Sequence, residues 1–158
     1  MGTLTLILDD ELPIVNLLSR VCEREGHVVR PFTKPAEALQ CLAKEPVDLL
    51  IVDLCMPESD GMAVTQEAWR LRPQLYVLII TGHARMFAAE NLLGGGQADI
   101  MFKPFRLNEF RARLGLAARR RSLISRLNKE ASALHAVSHE RIEALEGELA
   151  EVQKTSTP

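Results

Sequence analysis

The sequence predicts an α/β domain: a doubly wound, five-stranded parallel sheet that runs on into an extended C-terminal helix. Three observations predict it. Strand-like apolar runs and helix-like periodic segments alternate five times along the chain, the rhythm of a parallel sheet with helices on both faces. The central run, Val47 to Leu54, is mostly apolar and stops at Met56-Pro57 and Asp60-Gly61, so it reads as a strand buried on both faces. Acidic, hydroxyl and basic side chains gather where the runs end, and open parallel sheets do their chemistry at the carboxyl ends of the strands.

Each element has its own justification. Leu4 to Leu8 is a first strand that ends in Asp9-Asp10-Glu11. Leu12, Val15, Leu18, Ser19 and Cys22 recur at helical spacing and give a first helix that ends at Gly26. One acid is enough to serve that helix's dipole, so the other two need another reason. His27 to Phe32 is a second strand. Thr33 is the expected N-cap of a second helix with Pro35 in its first turn and Ala38, Leu39 and Leu42 on its apolar face. Asp48, near the start of the central strand, can lie at its edge. Asp53, one residue from the strand's carboxyl end, is either a ligand for something or a cost. Met62 to Leu71 is a third helix, stopped by Pro73, and Leu75 to Ile80 a fourth strand leading into Thr81-Gly82-His83. Residues 84–93 are a fourth helix closed by Gly94-Gly95-Gly96. Ala98 to Phe102 is a fifth strand ending in Lys103-Pro104-Phe105, and a long helical pattern begins near Leu107.

Composition narrows the class. With 47% apolar residues and a net charge of −2, the 158-residue chain reads as a soluble globular domain plus an appendage. There is no run of 18 apolar residues, so no membrane span is expected. The N-terminal stretch lacks a signal peptide's pattern. Cys22, Cys41 and Cys55 are odd in number and widely spaced, matching no metal or disulfide framework, and a reduced, cytoplasmic compartment is expected. Cys22 and Cys41 are expected at core or partly buried helix positions.

At the carboxyl ends of the strands stand Asp9 and Asp10, Asp53, Thr81 and Lys103, and a parallel sheet brings these ends to one edge. Three carboxylates there repel one another and raise their own pKa values. A hard divalent cation resolves the repulsion, and Mg²⁺ suits one or two carboxylates plus waters and a phosphate. Lys103 adds a compact positive charge and Thr81 a hydroxyl, which together make an anion site beside a metal, as phosphoryl transfer requires. An Asp can act as the nucleophile in such a site.

Asp9-Asp10, Asp53 with Met56-Pro57 and Asp60-Gly61, Thr81-Gly82 and Lys103-Pro104-Phe105 resemble the receiver domain of two-component response regulators, the CheY-like family, over about residues 3–120. The resemblance implies a flavodoxin-like strand order of 2-1-3-4-5 and a cis Lys103–Pro104 peptide. It implies that Asp53 accepts a phosphoryl group from a histidine kinase or phosphotransfer protein. Asp9, Asp10, Asp53 and the backbone carbonyl of Cys55 would hold Mg²⁺, Thr81 would bond a phosphoryl oxygen, and Lys103 would pair with it. Such a chain is not an enzyme beyond catalysing its own phosphoryl transfer and dephosphorylation.

The chain departs from the family three residues before the Lys, where a rotating Tyr or Phe is usual and Ile100 stands here. Phe102 is expected to point to the other face, so an altered switch at the fourth-helix to fifth-strand surface is expected. Cys55 and His83 are read as rim residues. Two other readings stand beside the receiver: a pseudo-receiver that binds partners without phosphorylation, and a receiver fragment of a larger protein whose output domain is absent. A Mg²⁺-dependent phosphatase would need a general acid two residues after the nucleophile, where Cys55 sits.

Residues 121–158 form a helical extension, expected to be a coiled coil or a linker. Ile124, Leu127, Ala131, Leu134, Ile142, Leu145, Leu149 and Val152 recur in steps of 3, 4 and 3, then 8, then 3, 4 and 3, and Ser138 splits the 8 into a stutter. Charge is segregated: eight basic residues and one acid between Arg106 and Lys129, six acids and one base between Glu130 and Val152. A partner helix, such as a second copy, suits that pattern. Arg119-Arg120-Arg121 has no reading module beside it, so nucleic acid is not an expected partner. The segment around His139 faintly resembles a kinase phosphoacceptor histidine but departs from it at Arg141-Ile142-Glu143.

Overall fold

The structure, a computed structural model, describes residues 2–57, 59–82 and 97–155. In chain order the elements are β1 (Leu4–Leu8), α1 (Leu12–Arg24), β2 (Val28–Phe32), α2 (Pro35–Lys44), β3 (Leu49–Asp53), β4 (Cys55–Met56), β5 (Ser59–Asp60), α3 (Gly61–Leu71), β6 (Tyr76–Thr81), β7 (Gln97–Phe102) and α4 (Leu107–Thr155). The helix expected over 84–93, the Gly94-Gly95-Gly96 turn and His83 lie outside the described residues. Met1–Ala118 and Arg119–Pro158 form two compact units.

Five strands make one sheet in the order β2-β1-β3-β6-β7, with every neighbouring pair parallel. Counted over the strands of this sheet, that is the order 2-1-3-4-5. β3 lies in the middle and all five of its residues are buried, which is why its sequence is nearly continuous in apolar residues. Asp48, just before it, trades hydrogen bonds with Leu4: its N–H donates to the Leu4 carbonyl at 2.9 Å and its Oδ2 accepts from the Leu4 N–H at 2.8 Å. It fastens β1 to β3 at the end away from Asp53.

Side chains alternate across the sheet and build a core on each face. Leu6, Leu8, Leu50, Val52, Val77 and Ile79 pack with Ala38 and Leu42 of α2 and with Val64, Ala68 and Trp69 of α3. Ile7, Leu49, Ile51, Leu78, Ile80 and Met101 pack with Val15, Leu18 and Cys22 of α1 and with Phe110, Leu114 and Ala117 of α4. Cys22 is a core residue, and burial pushes its thiol up to about 12.

Helix ends follow local chemistry. α1 closes with Gly26 at φ +84°, the Gly26 N–H donating to the Glu23 carbonyl and the His27 N–H to the Cys22 carbonyl, each at 3.0 Å. α2 corrects one expectation: its N-cap is Lys34, not Thr33, and no side chain caps it. Pro35 excludes helical backbone from the residue before it, so Lys34 stays extended at φ −120°, ψ 125° and the helix starts one residue later. A second correction concerns Phe102. Period-two alternation puts it on the face of Ala98 and Ile100 rather than the opposite one, and it is 46% exposed.

Candidate functional site

β1, β3, β6 and β7 run parallel, so their carboxyl ends share one edge. Asp9 follows β1 directly, Asp53 ends β3, Thr81 ends β6, and Lys103 follows β7. The backbone N–H of Lys103 donates to the Thr81 carbonyl at 2.8 Å, extending the ladder one residue past β7 and fixing where the side chain departs. The Lys103–Pro104 peptide is cis.

Asp9, Asp10 and Asp53 each bring a carboxylate oxygen within 4.8 Å of the others. Asp9 and Asp53 are buried, and Asp10 is exposed. The Lys103 ammonium bridges the two buried acids: Nζ donates to Asp53 Oδ2 at 2.7 Å and to Asp9 Oδ2 at 3.0 Å. Glu11 Oε1 lies 3.7 Å from the same nitrogen, at the exposed rim.

The second oxygens of the buried pair are held by backbone. Asp9 Oδ1 accepts from the Glu11 N–H at 2.9 Å, and Asp53 Oδ1 accepts from the Cys55 N–H at 3.0 Å. Two of the acids at the end of β1 are therefore not mere helix caps. Glu11 is the N-cap position of α1 but its side chain caps nothing, and no acid lies in the first helical turn. Asp9 is held by Lys103, and Asp10 lies beside it in the cluster.

Electrostatics follow burial. Desolvation lifts the Asp9 carboxyl above its ordinary value against the Glu11 N–H and Lys103, which pull it down, and the nearby Asp53 charge adds a smaller upward push. Burial pulls the Lys103 ammonium down, but its hydrogen bonds and charge interactions with Asp53 and Asp9 outweigh that and raise it. Carboxylates outnumber the one ammonium at this edge. Hard oxygen donors with excess negative charge fit a hard divalent cation such as Mg²⁺.

Thr81 is 1% exposed, and its hydroxyl lies 3.4 Å from the Cys55 thiol on the site's rim. Ile100 stands on β7 and packs, partly buried, against the core beside α2 and α3. An aliphatic side chain, not a ring, occupies that position.

Two contributions to the site were not read from sequence. One is the Cys55 N–H, set by the β4–β5 ribbon, in which Cys55 pairs with Asp60 and Met56 with Ser59. The other is Gly61. A Cβ there would stand 2.3 Å from the Asp53 carbonyl oxygen and 2.6 Å from the Leu54 Cα. The start of α3 lies against the backbone that carries Asp53, and only a residue without a side chain allows it. Asp60, the N-cap of α3, accepts from the Met62 N–H at 2.8 Å. The Asp-Gly pair signalled a turn in the sequence; the close approach is its further reason.

Comparison with known proteins adds the following. A family model described as the response regulator receiver domain matches residues 5–115. The chain is 34% identical over 103 residues to the DNA-binding transcriptional regulator NtrC of Proteus hauseri, covering 65% of this chain and 22% of that protein. It is 31% identical over 104 residues to the response regulator receiver protein CpdR of Brucella abortus, covering 66% of this chain and 87% of that one. The chain thus spans about a fifth of the NtrC relative and most of the CpdR relative. Among solved structures, a CheY-like receiver domain protein of Methanospirillum hungatei superposes with TM-score 0.65 at 25% identity, over 73% of this chain and 92% of that one. NtrX of Brucella abortus does so with TM-score 0.67 at 29% identity, over 85% of this chain and 30% of that one.

Proposed function

The chain belongs to the response regulator receiver domain family, and on that premise we propose that it accepts a phosphoryl group on Asp53 from a phosphohistidine of a histidine kinase or phosphotransfer protein. The observation that carries this reading is the buried Asp53 carboxylate, oriented by the Lys103 ammonium at 2.7 Å and the Cys55 N–H at 3.0 Å, beside two further acids.

An Asp53 oxygen attacks the phosphorus, a P–O bond forms, and the P–N bond to the donor imidazole breaks. The two donors to Asp53 hold its carboxylate in place before the donor arrives, so little reorganisation accompanies attack. Lys103 is placed to follow the negative charge from the carboxylate to the phosphoryl oxygens. Thr81, at the end of the neighbouring strand, supplies a hydroxyl for another of those oxygens. Asp9, Asp10, Asp53 and the Cys55 carbonyl would hold Mg²⁺, which when bound supplies charge neutralisation for an incoming phosphoryl group. The chain catalyses only its own phosphorylation and dephosphorylation. We further propose a cytoplasmic setting, which three widely spaced cysteines that match no disulfide framework support. No helix among the described residues is long and apolar enough to cross a membrane.

Intact mass spectrometry with Mg²⁺ and a small phosphodonor tests the reading. The wild type is expected to gain one phosphate adduct and Asp53→Ala none. Chelating the divalent ion is expected to slow adduct formation about a hundredfold, the size of losing one charge-stabilising group. A wild type that gains no adduct under any Mg²⁺ condition overturns the proposal in favour of an interaction module that works without phosphorylation.

A further inference from the structure

The unit Arg119–Pro158 carries a helical apolar stripe that nothing within that unit covers. Leu127, Leu134, Ile142 and Leu145 are 63%, 72%, 56% and 47% exposed. Helices draw most of their stability from packing an apolar face, so a stripe of this length calls for a partner. The positions Ile124, Leu127, Ala131, Leu134, Ser138, Ile142, Leu145, Leu149 and Val152 follow steps of 3, 4, 3, 4, 4, 3, 4 and 3. That series reads the same in both directions about Ser138. Two copies of the stripe can therefore keep every layer in register whether they run parallel or antiparallel.

Charge breaks the tie. Residues 119–129 hold five basic side chains and no acid, and residues 140–151 hold five acids and one base. A parallel pair gathers the basic segments of both copies at one end and the acidic segments at the other. Like charges at close range on a helix surface repel, and salt screens them only beyond about 8 Å. An antiparallel pair brings the basic end of each copy to the acidic end of the other.

We propose that this helix pairs with a second copy of the chain as an antiparallel coiled coil, with the two-fold axis at Ser138. Among the described side chains, the apolar layers are then Ala131 with Leu145 and Leu134 with Ile142. A small residue meets a large one in the Ala131 layer. Ser138 meets its copy at the axis, a polar layer of the kind that sets register at some cost in stability. The inference concerns the tail alone and stands apart from the phosphoryl chemistry.

Light scattering on the full chain is expected to give twice its 17.6 kDa mass. Mixing the single variants Ala131→Cys and Leu145→Cys under mild oxidation is expected to give a mixed disulfide between those two positions, identified in proteolytic peptides by mass spectrometry. In an antiparallel pair each new cysteine lies about 21 Å from its own copy, far outside disulfide reach. Position 131 joined chiefly to position 131 means a parallel pair and overturns the proposal. So does a monomer at every concentration, and so does a dimer that survives Leu127→Asp combined with Leu134→Asp, since its contact then lies outside the tail. No readout here involves phosphate, so failure of this pairing and failure of the phosphoryl reading are told apart.

Discussion

Phe110 and Leu134 belong to one helix and to the same kind of apolar stripe, yet Phe110 is fully buried and Leu134 is 72% exposed. Up to Ala117, α4 closes a core: Phe110, Leu114 and Ala117 pack with Met101, Ile80 and Leu78 of the sheet. From Ser122 to Gly147 every described side chain except Ile124 is exposed. The alphabet is nearly the same in the two stretches, so apolar periodicity states that a face is to be covered and not by what. In the first stretch the cover is the chain's own sheet. In the second nothing within Arg119–Pro158 supplies it, and the segregated charge is what bears on its identity.

That contrast can be broken from either side. Phe110→Ala removes a fully buried aromatic side chain and is expected to destabilise Met1–Ala118 by about 3–5 kcal/mol. Leu134→Ala is expected to leave that unfolding transition within about 0.5 kcal/mol while weakening self-association of the tail. Urea unfolding of the sheet and light scattering measure the two. A Leu134→Ala chain that loses several kcal/mol in the sheet's transition would show the two stretches to be one cooperative unit.

Gly61→Ala sharpens the contrast within the site. Because the new methyl group meets backbone rather than a flexible side chain, α3 or the end of β3 must shift. We expect a loss of about 1–3 kcal/mol in stability, and a loss of phosphate adduct larger than the fraction unfolded explains. Circular dichroism melts and intact mass on the same sample separate the two.

The smallest effects are expected from the helix glycines. A Cβ at Gly115 or Gly147 meets open space. Gly115→Ala is expected to raise the unfolding midpoint of the sheet-containing unit by up to about 1 kcal/mol equivalent. Gly147→Ala is expected to leave that midpoint unchanged and to increase helical signal and dimer fraction instead.

The parts of this protein legible in its sequence are those written locally. β3 is an unbroken apolar run because both its faces are covered, and Asp9, Asp10, Asp53, Thr81 and Lys103 stood at strand ends that any parallel sheet must bring to one edge. What stayed hidden depends on contacts distant in sequence or on backbone detail. The β4–β5 ribbon is two residues long on each side, too short for any alternation to show. Thr33 looked like a cap, but the proline two residues on moved the helix start. His27, 8% exposed, meets the Thr5 hydroxyl at 2.7 Å across the β1–β2 pairing, and no spacing announces that contact. Phe102 was set on the wrong face although its even spacing from Ile100 was available all along.

Lys103 lies 94 residues after Asp9 and 50 after Asp53. The acceptor acid is thus synthesised long before the cation that steadies it. A nascent chain leaving the ribosome holds Asp53 without its partner until β7 has emerged and docked. A chain nicked or frayed between these positions is in the same condition. The arrangement makes the charge balance of the site a certificate of completed folding, so that only a finished molecule presents Asp53 with its ammonium in place.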